Sequence, residues 1–135
     1  MRFMMIVRGN EQTETGAVPD EEMLSTMTRY NEELAKAGVL LDLSGLQPTS
    51  KGALIAYSGK KRTVTDGPFT EAKEIVAGYW LIEVKSKGEA IEWAKRVPFE
   101  EGEVELRQLF ELDDFGPGEA VDRARELEKQ LGNKR

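Results

Sequence analysis

Asp66 is the residue in this chain best placed to do chemistry. It opens the run Asp66-Gly67-Pro68-Phe69, directly after the strand-like piece Arg62-Thr63-Val64-Thr65. Gly67 admits backbone angles closed to other residues, Pro68 fixes φ, and Phe69 would anchor the turn in the core. A carboxylate on so rigid a loop suits general acid–base work or the binding of a ligand. The same residues also make an ordinary turn, in which an aspartate bonds backbone amides two residues on, and both readings stand at this point. Lys73, with Glu71 beside it, could neutralise an anionic ligand or pair with a surface carboxylate. Arg8 ends the first apolar run, where strand ends gather, so it could reach the same cleft or stand in solvent. Tyr30, Tyr79 and Trp80 could line a pocket for an apolar or aromatic ligand, or belong to the core. Tyr79 and Trp80 are adjacent on one strand and point to opposite faces, so at most one of them lines a given cavity. Asp42 interrupts an apolar strand, where it is either edge-exposed or paired. The candidate set is therefore Asp66 as catalytic carboxylate, and Arg8, Tyr30, Asp66 and Lys73 as ligand-binding residues.

The missing residue types narrow the chemistry further. The 135 residues include no His and no Cys. Imidazole acid–base catalysis, Ser-His-Asp and Cys-His triads, thiolate zinc, iron–sulfur clusters and disulfides are all excluded. Nineteen basic against 25 acidic residues give a net charge of −6, which lacks the electrostatic footprint of a nucleic-acid binder. The five methionines cluster in Met1–Met27 and read as adaptable packing. No loop has EF-hand spacing, and Gly116-Pro117-Gly118 is not a phosphate loop. No cofactor and no metal site is expected. The apolar run at the start is too short for a signal peptide, and no stretch approaches a membrane span, so the expectation is a cytoplasmic protein without membrane contact.

Several elements must position these residues. Residues 3–7 are continuously apolar and predict a buried strand. Residues 9–18 are polar and read as a loop. Asp20 is a good N-cap for a helix whose Met23, Met27, Tyr30, Leu34 and Ala37 form one apolar face, stopped at Gly38. Val39–Leu43 predicts a second strand. Ala53–Ser58 and Arg62–Thr65 flank a hairpin-length Gly59-Lys60-Lys61 connection. Thr70 would cap a short helix over Glu71–Ile75. Gly78–Val84 predicts the strongest strand, and Ser86-Lys87-Gly88-Glu89 matches a capping box before a helix ended by Pro98. Val104, Leu106, Gln108 and Phe110 alternate with Glu105, Arg107, Leu109 and Glu111, as in a strand. Ala120, Ala124, Leu127 and Leu131 mark a final charged helix.

This order predicts an α+β fold: a ferredoxin-like βαββαβ sheet with an inserted β-hairpin, residues 1–115, plus a C-terminal helical extension, residues 116–135. Two helices cover one face of such a sheet. Val39–Leu43, Ala53–Tyr57 and Tyr79–Val84 are apolar at both parities, so the second face also needs cover. A homodimer supplies it; the alternative is the C-terminal helix of the same chain.

Thr63-Val64-Thr65-Asp66-Gly67-Pro68-Phe69-Thr70-Glu71-Ala72-Lys73-Glu74 resembles the signature of the DGPF-domain branch of the YCII-related family. Ala37–Leu41, Gly45–Pro48, Gly78–Ile82, Glu89–Ala94 and the strand Glu103–Leu109 stand in the family order, and the likeness runs from Met1 to about Leu112. The resemblance implies a dimeric α+β barrel of two ferredoxin-like sheets packed face to face. It also implies a ligand cleft between sheet and helices in related folds, and a His–Asp pair in the wider family. Without His, only the carboxylate has a counterpart here, at Asp66. Three functions follow as expectations. The first is small-molecule binding or an accessory role through a dimer cleft near the Asp66 loop. The second is a cofactor-independent enzyme using Asp66 as acid or base, with Arg8 or Lys73 as electrostatic partner. The third is a protein-interaction module whose partner belongs to a regulatory pathway, as the resemblance to proteins linked with sigma factors implies.

Overall fold

The computed structural model describes residues 1–69 and 75–132. Among these residues six strands and four helices follow in order: β1 (Arg2–Arg8), α1 (Glu11–Glu14), α2 (Glu21–Lys36), β2 (Leu40–Gly45), β3 (Ala53–Ser58), β4 (Lys61–Asp66), β5 (Val76–Glu83), α3 (Lys87–Lys95), β6 (Val104–Gln108) and α4 (Glu119–Gly132). Short 3₁₀ turns precede β3 and α4, at Thr49–Lys51 and Leu112–Phe115. β2, β5, β1 and β6 form one antiparallel sheet in that order, and β3 pairs with β4 in a separate two-stranded sheet. Leaving out the hairpin, this is the ferredoxin-like arrangement, with the hairpin inserted between β2 and β5.

Local chemistry explains the helices. Asp20 accepts the Met23 N–H at 2.8 Å, and Glu21 and Glu22 place negative charge at the positive end of α2. The chain leaves α2 through Gly38 at φ 75°, a left-handed angle that favours glycine. At α3 the Ser86 hydroxyl accepts the Glu89 N–H at 3.1 Å. The Glu89 carboxylate turns one residue further back than the capping box predicts and accepts the Lys85 N–H at 2.9 Å. The polar stretch 9–18, expected as a loop, contains the single helical turn α1. Asn10 accepts from the Thr13 N–H and Thr13 Oγ1 accepts from the Asn10 N–H, both at 2.9 Å, so capping rather than burial makes this turn.

Alternation along the strands sorts the sheet into two faces. Phe3 and Met5 of β1 and Trp80 and Ile82 of β5 are buried beneath α2 and α3, together with Tyr30, Leu34, Val39 and Ala90. Trp80 donates its indole N–H to Asn31 at 2.7 Å and meets the Tyr30 ring edge-on at 5.6 Å. Tyr30 donates its hydroxyl to the Trp93 carbonyl at 2.7 Å, tying α2 to α3.

Burial pushes the Tyr30 phenol up from 10.0 to about 12, against a smaller opposing pull from Arg96. The unfolded chain therefore gives up this proton first. The stability that Tyr30 contributes is complete below pH 10 and falls as pH rises toward 12. Tyr30→Phe is expected to cost about 1 kcal/mol at neutral pH through the lost hydrogen bond. It should also flatten the alkaline decline of the denaturant midpoint between these two pH values. A variant that declines as steeply as the parent would place the alkaline sensitivity elsewhere.

The opposite face carries Met4, Ile6, Tyr79 and Leu81, all half-buried. The C-terminal helix does not supply the cover this face requires. No residue of α4 is buried, and Leu127 and Leu131 remain 56% and 46% exposed. α4 is tethered at the margin instead, by Arg125 to Asp113 at 3.0 Å and by Arg2 to Glu128 at 3.8 Å. No helix among the described residues is long and apolar enough to cross a membrane.

Candidate functional site

Asp66 is the last residue of β4, paired with Ala53 of β3. The loop after it is braced from below. Gly67 donates its N–H to the Gly52 carbonyl at 3.1 Å, and its Cα lies directly on the Thr49 carbonyl. A Cβ at residue 67 would fall 1.7 Å from that oxygen, so only glycine fits. Thr49 is buried, and the Glu14 carboxylate holds it twice, accepting from its N–H at 3.1 Å and its hydroxyl at 2.5 Å. Asn10, Glu14, Thr49 and Gly67 thus form a continuous chain of contacts from the end of β1 to the Asp66 loop. Phe69 lies half-buried over Gly67, its Cδ1 3.0 Å from the position of that Cβ, and does not join the core as the sequence predicts. Asp66 itself is exposed, and among the described residues no hydrogen bond or ion pair engages its carboxylate. The backbone of its neighbour shapes the turn, and the carboxylate is left over.

Arg8 sits at the same end of the sheet, on the face opposite α2 and α3. It bonds Glu105 of β6 at 2.6 Å, and Arg107 reaches the other oxygen of Glu105 at 3.2 Å. The hydrogen bonds from Arg107 and Arg8 hold the Glu105 carboxyl below its usual range. Across the sheet, Tyr79 donates its hydroxyl to Asp42 at 3.2 Å, so Asp42 is both edge-exposed and paired. The register sets these groups in two rows: Arg107, Met4, Leu81, Asp42, and beside it Glu105, Ile6, Tyr79, Ser44. An apolar stripe therefore runs between a guanidinium–carboxylate cluster and a Tyr–Asp pair.

The structure brings Arg8 and Asp66 to one end of the molecule. It does not bring Tyr30 to them, since Tyr30 is buried on the helix side with its hydroxyl satisfied. Lys73, Glu71 and the expected helix beginning at Thr70 lie outside the described residues. Glu105 and Arg107 were legible only as the polar parity of a strand, and the Glu14–Thr49 clasp left no mark in the sequence. Beside this clasp opens a cavity of ≈ 320 Å³ lined by Val18, Pro19, Leu46, Pro48 and Ala77 among others. That volume is at the lower limit of the ~300–1,000 Å³ usual for small-molecule sites. Neither Arg8 nor Asp66 lines it.

The family model described as the YCII-related domain matches residues 1–113. The match ends inside the 3₁₀ turn before α4, so that helix lies beyond it. An uncharacterized protein of Rhizobium meliloti (strain 1021) is 33% identical over 76 residues, which cover 56% of this chain and 61% of that protein.

Proposed function

This chain belongs to the YCII-related family, and from that premise we propose that it acts as a homodimer binding a small molecule at the end of the sheet where the Asp66 loop stands. Within the family we place it in the DGPF branch, on the likeness of the run Asp66–Phe69 to that branch's signature. The two subunits meet through the uncovered sheet face. Its apolar stripe of Met4, Ile6, Tyr79 and Leu81 is half-buried, with no helix among the described residues over it, and an apolar patch left open in this way marks an association surface. Ligand binding rests on one observation, an exposed carboxylate without a described partner on a loop locked by its own backbone. A fold that needed Asp66 to hold the turn would engage it; this one braces the turn through Gly67 and Thr49. The group is therefore available to a ligand carrying a hydrogen-bond donor or a positive charge, and a carboxylate so held can also serve as acid or base.

Asp66→Asn separates this reading from a structural one. Its stability in denaturant is expected to stay within about 0.5 kcal/mol of the parent, at fixed protein concentration. A thermal-shift panel of small amines, alcohols and amides should then contain compounds that stabilise the parent and not the variant. A loss of about 1–3 kcal/mol on substitution would mark Asp66 as a turn carboxylate and remove the binding role.

A further inference from the structure

We infer that the β3–β4 hairpin is an arm that grips a second copy of this chain, its basic aromatic tip seated in an acid-rimmed groove of that copy. The inference rests on the homodimer proposed above and deepens it, since each subunit then contributes a segment to the other's surface.

Every residue of both hairpin strands is exposed. The strand pairing sets Ile55, Val64, Tyr57, Arg62 and Asp66 on one face. Ile55 is 45% exposed, Val64 64% and Tyr57 71%. A two-stranded hairpin with nothing packed on it is marginal in water, so an apolar face of this extent calls for a partner. The base of the arm is fixed by Gly67, whereas the residues at its tip, Tyr57 to Arg62, are all exposed.

Charge says which partner. Residues 51–66 carry four cations, Lys51, Lys60, Lys61 and Arg62, and one carboxylate, in a chain of 19 basic and 25 acidic residues. At the tip Arg62 lies over the Tyr57 ring at 4.7 Å, presenting a flat apolar surface edged by positive charge. The complementary surface is present in the same sequence. Asp20, Glu22, Glu100 and Glu101 rim a groove that Met23 and Phe99 also line. Both of those apolar side chains are partly exposed, at 42% and 37%. The tip of the same chain does not line this groove, so a second copy offers the match. In a two-fold dimer the contact occurs twice, and it closes.

The test compares full-length variants by sedimentation and by the rate of subunit exchange between labelled dimers. Lys60→Glu with Lys61→Glu, and separately Tyr57→Ser, are expected to weaken the dimer about tenfold and to speed exchange, with unchanged circular dichroism. Glu100→Lys with Glu101→Lys should do the same, and the four changes combined should restore most of the loss by exchanging the two charges. Added salt should weaken the parent dimer more than the Lys60→Glu, Lys61→Glu variant. A dimeric parent whose tip variants assemble and exchange unchanged overturns the arm while leaving the sheet-face dimer intact. A parent that stays monomeric at micromolar concentration overturns the dimer itself, and the arm with it.

Discussion

Gly67→Ala is expected to be among the most damaging single substitutions in this chain. The added Cβ would sit 1.7 Å from the Thr49 carbonyl oxygen and 2.6 Å from its carbon. Both are backbone atoms, so no side-chain rotation relieves the clash. Either the loop lifts from the 3₁₀ turn or Thr49 leaves the Glu14 carboxylate that clasps it. Forcing extra volume into a packed place costs about 1–3 kcal/mol where side chains can adjust, and here the cost should reach or exceed the upper figure. Two other glycines calibrate the result. At Gly78 a Cβ would meet the Ser44 carbonyl at 2.9 Å, a milder collision. At Gly38 nothing lies within 4 Å, and only the positive φ of 75° resists a side chain, at a cost of about 1 kcal/mol. Denaturant midpoints should therefore fall in the order Gly67→Ala, Gly78→Ala, Gly38→Ala, with the first lowest. Should Gly67→Ala be no worse than Gly38→Ala, the loop does not rest on Thr49, and Asp66 loses the rigid mount that its proposed role requires.

How much of this was readable in the sequence depends on distance along the chain. The helices α2 and α3 announce themselves through Asp20, Ser86 and an apolar period, because capping and amphipathicity are local. The four strands of the main sheet are equally plain, and their order follows from the ferredoxin-like connectivity. The opposed directions of Tyr79 and Trp80 follow from alternation alone, and the structure has Trp80 in the core and Tyr79 on the open face with Asp42. The short turn α1 escaped because it is made by Asn10 and Thr13 bonding one another, with no apolar period to show it. The clasp beneath Gly67 joins residues 14, 49 and 67, and nothing in a single sequence pairs them. Gly67 was legible as a permissive turn residue. Its decisive property is the absence of a Cβ where another backbone arrives, which only the folded chain reveals. The hairpin shows the opposite case. Ala53–Tyr57 is apolar at both parities and suggests a strand covered on two sides, yet it stands outside the main sheet with both faces exposed.

Met4 and Met5 turn the two-faced sheet into a second large effect. They are neighbours of the same residue type on a central strand, and alternation sends them to opposite sides. Met5 is 0% exposed beneath the helices, and Met4 lies on the open face between Arg107 and Leu81. Met5→Ala leaves a cavity in a closed core and is expected to cost about 2–5 kcal/mol of folding stability. Met4→Lys removes little from the core, so the subunit should fold, with the circular dichroism of the parent. Placed at the centre of the proposed subunit contact, its ammonium would be desolvated without a partner, which costs several kcal/mol. The dimer should then weaken by about a hundredfold or more, and sedimentation at micromolar concentration should find monomers where the parent is dimeric. A dimeric Met4→Lys protein would show that the sheet faces do not meet, whatever the hairpin does. An unfolded one would show that Met4 is core, and that the division of the sheet into a covered and an open face is wrong. A soluble, folded monomer is the outcome that ties the apolar stripe to assembly. It also tests whether the ligand site depends on the second subunit, because a compound bound near Asp66 in the parent can be offered to the monomer directly.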